Sequence, residues 1–252
     1  MPQQRIVLRN CGAIDPKDVS TYLNQDGFKA LEKALAELTP EQVIEEVKES
    51  GLLGRGGAGF PTGLKWQFAS ETPGKEKYVI CNADEGEVGA FKDRYILERD
   101  PFGLIEAMAI AGYAIGAKKG YIYLRAEYHH LHDLLGGAIA QCREKGFLAR
   151  QGNFTFNIEI REGAGAYVCG EETALMDSIE GKRGEPRYRP PFPPSQGLWQ
   201  KPTIINNVET LMNVPPIILN GADWFNRIGT EQSKGTKAFS VSGDVQAQAH
   251  MS

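Results

Sequence analysis

A glycine-rich segment at residues 54–66 (GRGGAGFPTGLKW) is the part of the chain best suited to binding a ligand. Five of its first ten residues are glycines, flanked by the basic residues Arg55 and Lys65. Glycine reaches positive φ without steric cost and leaves backbone N–H groups uncovered, which suits a phosphate or a flat ligand. A flexible surface loop is the alternative, but such loops are rich in Gly and Ser and lack the Phe, Lys and Trp found here.

Two familiar nucleotide motifs can be tested on this segment, and neither fits. Residues 54–59 fit the dinucleotide fingerprint, which belongs between a strand and a helix. The preceding residues 41–48 (EQVIEEVK) have helical spacing, and residues 60–63 (FPTG) are not expected to begin an ordinary helix. A Walker A loop is excluded because Leu64 separates the last glycine from Lys65.

The bulk properties exclude several classes of protein. A chain of 252 residues with net charge −4 can form one large domain or two small ones, and does not suit nonspecific binding to nucleic acid. No apolar run approaches the roughly 18 residues of a membrane span, and the N-terminus has no apolar signal region. The four scattered cysteines form no C-x-x-C pair, which argues against a metal site and fits a cytoplasmic protein.

Strands and helices are predicted to alternate after a helical lead-in over residues 1–50. Strands are expected at 77–82, 120–126 and 154–160, and helices at 100–117, 130–145 and 171–180. This order predicts an α/β fold with a largely parallel sheet and flanking helices. Ligands of such sheets bind at the carboxyl ends of the strands, where the polar residues 82–85 and 163–172 fall.

The rest of the chain gives less regular signals. Residues 181–203 differ in composition from the rest, and residues 181–194, rich in Pro and Arg, are expected to form neither regular helix nor sheet. They fit a linker and a flap over a ligand equally well. Residues 206–210 (NNVET) are expected to begin a helix whose Asn side chains suit capping or anion binding. One strand is expected within residues 238–244.

Acidic and basic residues after the first strand allow more than one interpretation. Asp84, Glu85 and Glu87 would suit a metal ion, or equally a flavin and a ribose. Residues 92–94 (KDR) are interpreted as a solvated or self-paired run of charges.

Four segments together resemble the NADH-oxidising flavoprotein subunit of respiratory complex I and the diaphorase subunits of NAD-reducing and electron-bifurcating hydrogenases and formate dehydrogenases. They are residues 54–66, 81–94, 163–175 and 189–210. The resemblance implies a modified Rossmann-like FMN- and NADH-binding domain over residues 51–236, with residues 237–252 beginning a β-grasp-like extension. A 4Fe–4S cluster is expected only in a C-terminal segment of the full-length protein that is missing here.

The resemblance also assigns residues to the site. Glu87 and Glu171 are implied as catalytic residues, and no metal ligand is implied. The implied cofactor-binding residues come from all four segments: Gly54, Arg55, Gly56, Gly57, Gly59, Phe60, Lys65, Phe68, Asn82, Asp84, Glu85, Tyr167, Gly170, Glu172, Arg189, Phe192, Asn206, Asn207 and Thr210. Of these, Phe60, Phe68, Tyr167, Glu172, Arg189 and Phe192 are implied on the NADH side, together with Glu87.

The implied function is that of an FMN-dependent NADH dehydrogenase, or diaphorase, that moves hydride between NADH and FMN in either direction. The implied partners are a thioredoxin-like 2Fe–2S subunit and further iron–sulfur subunits, without nucleic acid and without a direct membrane span. The expected location is the cytoplasm, including the cytoplasmic face of a membrane complex. The alternative is a non-catalytic nucleotide-binding scaffold subunit that has lost its flavin.

Overall fold

The structure is a computed structural model that describes residues 4–148, 154–245 and 249–251. Its centre is a four-stranded sheet in which all neighbouring strands are parallel, in the order β3-β2-β1-β4. The strands are β1 (Tyr78–Ala83), β2 (Lys119–Leu124), β3 (Asn157–Glu162) and β4 (Thr203–Asn207). The predicted α/β fold with a largely parallel sheet is therefore confirmed.

Helices surround this sheet and connect its strands. Before β1 lie α1 (Val19–Leu23), α2 (Lys29–Glu37), α3 (Pro40–Glu49) and α4 (Thr62–Glu71). Between β1 and β3 lie α5 (Lys92–Arg99), α6 (Pro101–Ile115) and α7 (His132–Glu144), and between β3 and β4 lie α8 (Glu172–Ile179) and α9 (Pro193–Gln196). After β4 come α10 (Val208–Met212), α11 (Val214–Asn220) and α12 (Ala222–Asn226), then the antiparallel strands β5 (Phe239–Val241) and β6 (Ala249–Met251).

Helix α6 is the central helix of the main core. All of its residues except Tyr113 are buried, because other helices cover it on the sides away from the sheet. The Asp100 side chain caps its first turn by accepting a hydrogen bond from the Gly103 N–H at 2.9 Å. Its end is set by Gly116, whose φ of 75° continues no right-handed helix.

A buried carboxylate on α6 attaches the N-terminal residues to this core. The Glu106 carboxylate accepts hydrogen bonds from the N–H groups of Phe28 and Leu31, both at 3.1 Å, and from the Tyr22 hydroxyl. Burial raises the pKa of Glu106, and these donors oppose that rise. Residues 1–50 were separated from residues 51–236 on sequence alone, and this division stays a prediction, as does the boundary at 237.

Two local expectations are wrong. Residues 60–63 were not expected to begin a helix, yet α4 begins at Thr62. Pro61 offers no capping side chain; the helix start is fixed instead by the Thr62 N–H, which donates to the Leu52 carbonyl at 2.9 Å. Helix α9 begins at Pro193, inside the stretch that was expected to form neither helix nor sheet. Strand β4 was not predicted, because its local signal is weak and its pairing with β1 stabilises it.

Candidate functional site

The glycine loop connects α3 to α4 as a closed hairpin with free donors at its tip. Leu53 pairs with Pro61 across its base, and the Gly54 N–H donates to the Phe60 carbonyl at 2.9 Å. Gly57 and Gly59 have φ values of 115° and 67°, which side chains disfavour. Within the described residues, the N–H groups of residues 56–59 have no hydrogen-bond partner. Four backbone donors are therefore available to a ligand.

The loop rests on the first turn of α10. The Arg55 N–H donates to the Thr210 hydroxyl at 2.8 Å. A Cβ at Gly56 would lie 3.2 Å from the Cβ of Asn207, closer than most Cβ contacts, so a side chain here would displace Asn207 by a few tenths of an ångström. The sequence placed Gly56, Asn207 and Thr210 in one site, and the structure brings them together.

The Arg55 side chain does not lie free beside the loop. Its guanidinium donates to the carbonyls of Lys234 at 2.6 Å and Leu53 at 3.2 Å, and burial lowers its pKa. The Arg55 side chain thus joins the glycine loop to the segment before β5, whereas the Arg55 backbone N–H contacts α10.

The carboxyl edge of the sheet lies next to the loop and gathers polar residues from β1 and the turn before α8. The Asn82 amide donates to the Gly170 carbonyl at 2.9 Å and its oxygen accepts from the Asp84 N–H at 3.1 Å. A Cβ at Gly170 would lie 3.5 Å from Oδ2 of Asp84. Burial raises the pKa of Asp84 to about 6, although Arg125 opposes the rise. The structure brings Asn82, Asp84 and Gly170 together.

Helix α4 reaches the same edge through β4. The Trp66 indole N–H donates to Oδ1 of Asn206 at 2.9 Å, and Nζ of Lys65 donates to the Ile205 carbonyl at 3.0 Å. Burial lowers the pKa of Lys65, and the Glu172 carboxylate opposes this. Lys65 and Asn206, both predicted from sequence, therefore adjoin at β4.

Four predicted charged residues form a network at the start of α8. The Arg189 guanidinium lies 2.8 Å from Oε1 of Glu172 and 3.4 Å from Oε1 of Glu171. Nζ of Lys65 lies 3.7 Å from Oε2 of Glu172. The other oxygen of Glu171 caps α8 by accepting from the N–H groups of residues 173 and 174. The proline-rich segment, through Arg189, is thus attached to the site that the sequence predicted.

The two remaining glutamates differ in their surroundings. Glu85 is buried and accepts hydrogen bonds from the N–H groups of Asp93 and Arg94 and from the Tyr128 hydroxyl, at 3.0–3.1 Å. Its side chain therefore supports the start of α5. Glu87 is exposed and accepts a hydrogen bond from the Tyr167 hydroxyl, which raises the pKa of Tyr167.

The predicted aromatic residues present open ring surface. Phe60, Phe68 and Phe192 are 44%, 45% and 55% exposed. Phe60 ends the glycine loop, Phe68 lies on α4, and Phe192 precedes α9. Exposed aromatic rings suit stacking on a base, and their assignment to NADH stays a prediction.

A buried cluster of charges at the start of α5 was missed. Residues 92–94 were interpreted as a solvated or self-paired run. Lys92 does pair with Asp93 at 2.7 Å, but it also bonds to Asn207 and Glu209, more than 110 residues away. Asp93 is buried and accepts a hydrogen bond from the Asn207 amide at 2.7 Å. No local pattern identifies these partners, because they meet only in the folded sheet.

A groove of about 710 Å³ runs along the glycine loop opposite β5. Its walls come from the glycine loop, the turn before α5, α10 and the segment around β5: Leu53, Gly54, Arg55, Gly57, Gly59, Val88, Gly89, Ala90, Lys92, Glu209 and residues 237–242. In the described part of the chain, no three His, Cys, Asp or Glu side chains are grouped to hold a metal ion. Within residues 4–148, 154–245 and 249–251, no helix has the length and apolar character needed to cross a membrane.

Free loop donors beside the carboxyl edge of a parallel sheet are typical of α/β proteins that bind nucleotide cofactors. The family described as the Nuo51 FMN-binding domain matches residues 47–216. The chain belongs to this family, which confirms the resemblance found in its motifs.

Individual relatives agree with this family. The chain is 55% identical to the NADP-reducing hydrogenase subunit HndC of Solidesulfovibrio fructosivorans, over 97% of this chain and 50% of that protein. It is 52% identical to an NADH-quinone oxidoreductase subunit of Rhizobium meliloti, over 95% of this chain and 58% of that protein. The chain therefore spans about half the length of these curated relatives.

A solved structure shares the fold. A chain of the NAD+-reducing [NiFe]-hydrogenase, in its H2-reduced state, superposes with a TM-score of 0.85 at 46% identity. The match covers 92% of this chain and 40% of that chain.

Proposed function

We propose that this chain is the FMN- and NADH-binding module of an NADH:acceptor oxidoreductase, of the kind found in complex I, hydrogenases and formate dehydrogenases. The observation that supports this most is the glycine loop: four backbone N–H groups without partners lie beside Asn207 and the carboxyl edge of the sheet. Such a group of donors fits a phosphate, and the adjoining polar edge fits the rest of a flavin.

The flavin contacts follow from this placement. The N–H groups of residues 56–59 and one amide hydrogen of Asn207 would hold the phosphate of FMN. That amide donates once, to Asp93, which leaves its second hydrogen free among the described residues. Asn82, Asp84 and Gly170 adjoin at the sheet edge and would surround the ring. Thr210 and Lys65 would hold the loop and the edge in place.

The NADH contacts lie on the exposed side. Phe60, Phe68 and Phe192 would stack on the adenine and nicotinamide ends, with Arg189 near the diphosphate. The carboxylates of Glu87 and Glu172 would accept hydrogen bonds from ribose hydroxyls and repel a 2′-phosphate, which favours NADH over NADPH. Among the relatives, one is named NADP-reducing and another NADH-quinone oxidoreductase, so coenzyme choice requires its own test.

The reaction requires little acid–base chemistry from the protein. When bound, FMN supplies hydride exchange with NADH and one-electron transfer to the next acceptor. This chain would orient both cofactors. The carboxylates of Glu171 and Glu87 would place negative charge beside them. Glu171 is held by the α8 cap and by Arg189, and Glu87 by Tyr167.

The proposed acceptors are iron–sulfur subunits of a cytoplasmic multisubunit enzyme. They include a thioredoxin-like 2Fe–2S subunit and a 4Fe–4S cluster in a segment that longer relatives have. In support, two relatives are named as subunits of an NADP-reducing hydrogenase and of an NADH-quinone oxidoreductase.

The test is a titration of the purified chain with FMN, followed anaerobically by NADH. We expect FMN to bind at micromolar concentration. The absorbance of the bound flavin near 450 nm, about the usual position of the flavin band, should then fall when NADH is added. Gly56→Ala should weaken FMN binding because its Cβ would meet Asn207. Gly136→Ala is the matched control, since nothing lies within 4 Å of its Cβ.

Three outcomes separate the alternatives. A folded chain that binds no FMN contradicts the proposal and leaves the scaffold alternative. FMN binding without reduction by NADH contradicts the dehydrogenase assignment. If Gly56→Ala and Gly136→Ala weaken FMN binding equally, the glycine loop is not part of the flavin site.

A further inference from the structure

The Lys92 ammonium group is held by three acceptors of the protein. It lies 2.7 Å from Oδ1 of Asp93, 3.1 Å from Oε2 of Glu209 and 3.2 Å from Oδ1 of Asn207. It donates hydrogen bonds to Asp93 and Asn207 and forms an ion pair with Glu209. Burial lowers the pKa of Lys92, but the carboxylates of Asp93 and Glu209 outweigh this effect and raise the pKa overall. Lys92 therefore stays charged, and its ammonium group is engaged by the protein.

These contacts fix which way the Asn207 amide points. Its oxygen accepts from Lys92 and from the Glu209 N–H at 3.0 Å, while its nitrogen donates to Oδ2 of Asp93 at 2.7 Å. A flipped amide would place its NH2 group against an ammonium and its oxygen against a carboxylate. Both contacts would be repulsive in a buried place, so only one orientation is stable.

The same cluster joins two walls of the groove. Glu209 accepts a hydrogen bond through Oε1 from the Ala238 N–H at 2.8 Å, at the start of β5. The other wall is the glycine loop, whose Gly56 packs against Asn207. Lys92 bridges Glu209 and Asn207 and thus holds both walls at one separation.

We propose that Lys92 is a positioning residue for the phosphate end of the flavin, acting through the orientation of the Asn207 amide. The inference rests on the proposed function, because it takes the glycine loop and Asn207 as the phosphate site. It explains why a lysine engaged by three protein acceptors lies in the wall of the groove. It also predicts that loss of Lys92 affects binding of the phosphate and leaves binding of the flavin ring intact.

The experiment compares FMN with riboflavin, which lacks the phosphate, on the purified chain. In Lys92→Met, FMN affinity should fall by about tenfold or more, as for the loss of a hydrogen bond to a charged group, while riboflavin affinity changes by about twofold or less. Lys77→Met is the matched control. Lys77 is also buried, but it donates to the carbonyls of Ala69 and Ser70 at the end of α4. It should leave the ratio of FMN to riboflavin affinity unchanged.

A second variant separates the proposed effect from a loss of the fold. Lys92→Met leaves two buried carboxylates without their cation, which destabilises the fold. Lys92→Met combined with Glu209→Gln removes one of those charges as well, and should show the same selective loss of FMN. Circular dichroism of each variant identifies the folded samples on which affinities are compared.

A double-mutant cycle tests the route through Asn207. If Lys92 acts through that amide, Lys92→Met should cost little further FMN affinity in an Asn207→Ala background. Additive effects would show direct contact with the phosphate and overturn the inference. Equal losses of FMN and riboflavin, or unchanged FMN affinity in the folded variants, would overturn it too. An unsubstituted chain that binds no FMN would instead contradict the proposed function.

Discussion

The Arg189 guanidinium and the Glu172 carboxylate form an ion pair at 2.8 Å that attaches the proline-rich segment to the first turn of α8. Both side chains are partly exposed, and exposed ion pairs contribute only about 0–1 kcal/mol. An incoming dinucleotide can therefore replace this contact at small cost. The pair joins the proline-rich segment to α8, the two elements whose residues were assigned to NADH. Glu172 also lies 3.7 Å from Nζ of Lys65.

Coenzyme choice should depend on the charge of Glu172. In Glu172→Gln, the preference for NADH over NADPH should narrow by about 1–3 kcal/mol, because repulsion of a 2′-phosphate is lost and Arg189 is released. The measurement is kcat/KM for both coenzymes with ferricyanide as acceptor. Glu185→Gln is the control, since Glu185 is exposed and pairs only with Arg183 in the same segment. Equal use of both coenzymes by the unsubstituted chain would contradict this assignment.

Phe192 should contribute stacking to NADH binding. Base–aromatic stacking is worth about 1–3 kcal/mol, so Phe192→Ala should raise the KM for NADH by about tenfold and leave bound FMN unchanged. Leu219→Ala is the control, because Leu219 is an exposed apolar residue on α11 with no aromatic ring to stack. Loss of FMN with an unchanged KM for NADH would place Phe192 in the support of the flavin instead.

The sequence predicted those features that local patterns encode. A helical lead-in was predicted over residues 1–50, and within it α3 begins at Pro40, where the Thr39 hydroxyl accepts from the Gln42 N–H in a capping box. The strands β1 and β2 were found because they are short apolar runs. Strand β4 was missed, because its second half is polar and its pairing with β1 is visible only in the sheet.

The residues of the candidate site were predicted from recognisable motifs, but the contacts of their side chains could not be predicted. Arg55 was expected beside a phosphate, yet its guanidinium binds two backbone carbonyls. Lys92 was interpreted as part of a solvated or self-paired run, since its partners Asn207 and Glu209 lie far away in sequence. Such long-range pairs depend on the register of the sheet rather than on neighbouring residues.

Asp84 should make the flavin-free protein less stable as the pH rises. Burial raises its folded-state pKa to about 6 from 3.8, so the folded state binds more protons than the unfolded state between these values. Stability therefore falls as the pH rises through about 4–6 and stays reduced above. Asp84→Asn should raise the free energy of unfolding at pH 7 by up to about 3 kcal/mol, since each pKa unit corresponds to about 1.4 kcal/mol.

The measurement is urea unfolding of the flavin-free chain and of Asp84→Asn at pH 4 and pH 7. The gain from the substitution should be small at pH 4 and larger at pH 7. The same variant should bind FMN less tightly, because Asp84 lies at the proposed ring site. A gain of equal size at both pH values would show that the charge of Asp84 is not the cause.

Glu106 should decide whether the N-terminal helices remain docked. Glu106→Ala would leave the Tyr22 hydroxyl and the N–H groups of Phe28 and Leu31 buried without an acceptor, and each such group costs about 1–3 kcal/mol. We expect a total loss of about 3–5 kcal/mol in the free energy of unfolding, at the upper end for a single substitution. Glu144→Ala, at an exposed position on α7, should change stability little. Hydrogen exchange then distinguishes two outcomes: faster exchange confined to α2 means that the lead-in undocks as a separate unit, whereas uniform faster exchange means that residues 1–50 and the sheet unfold together.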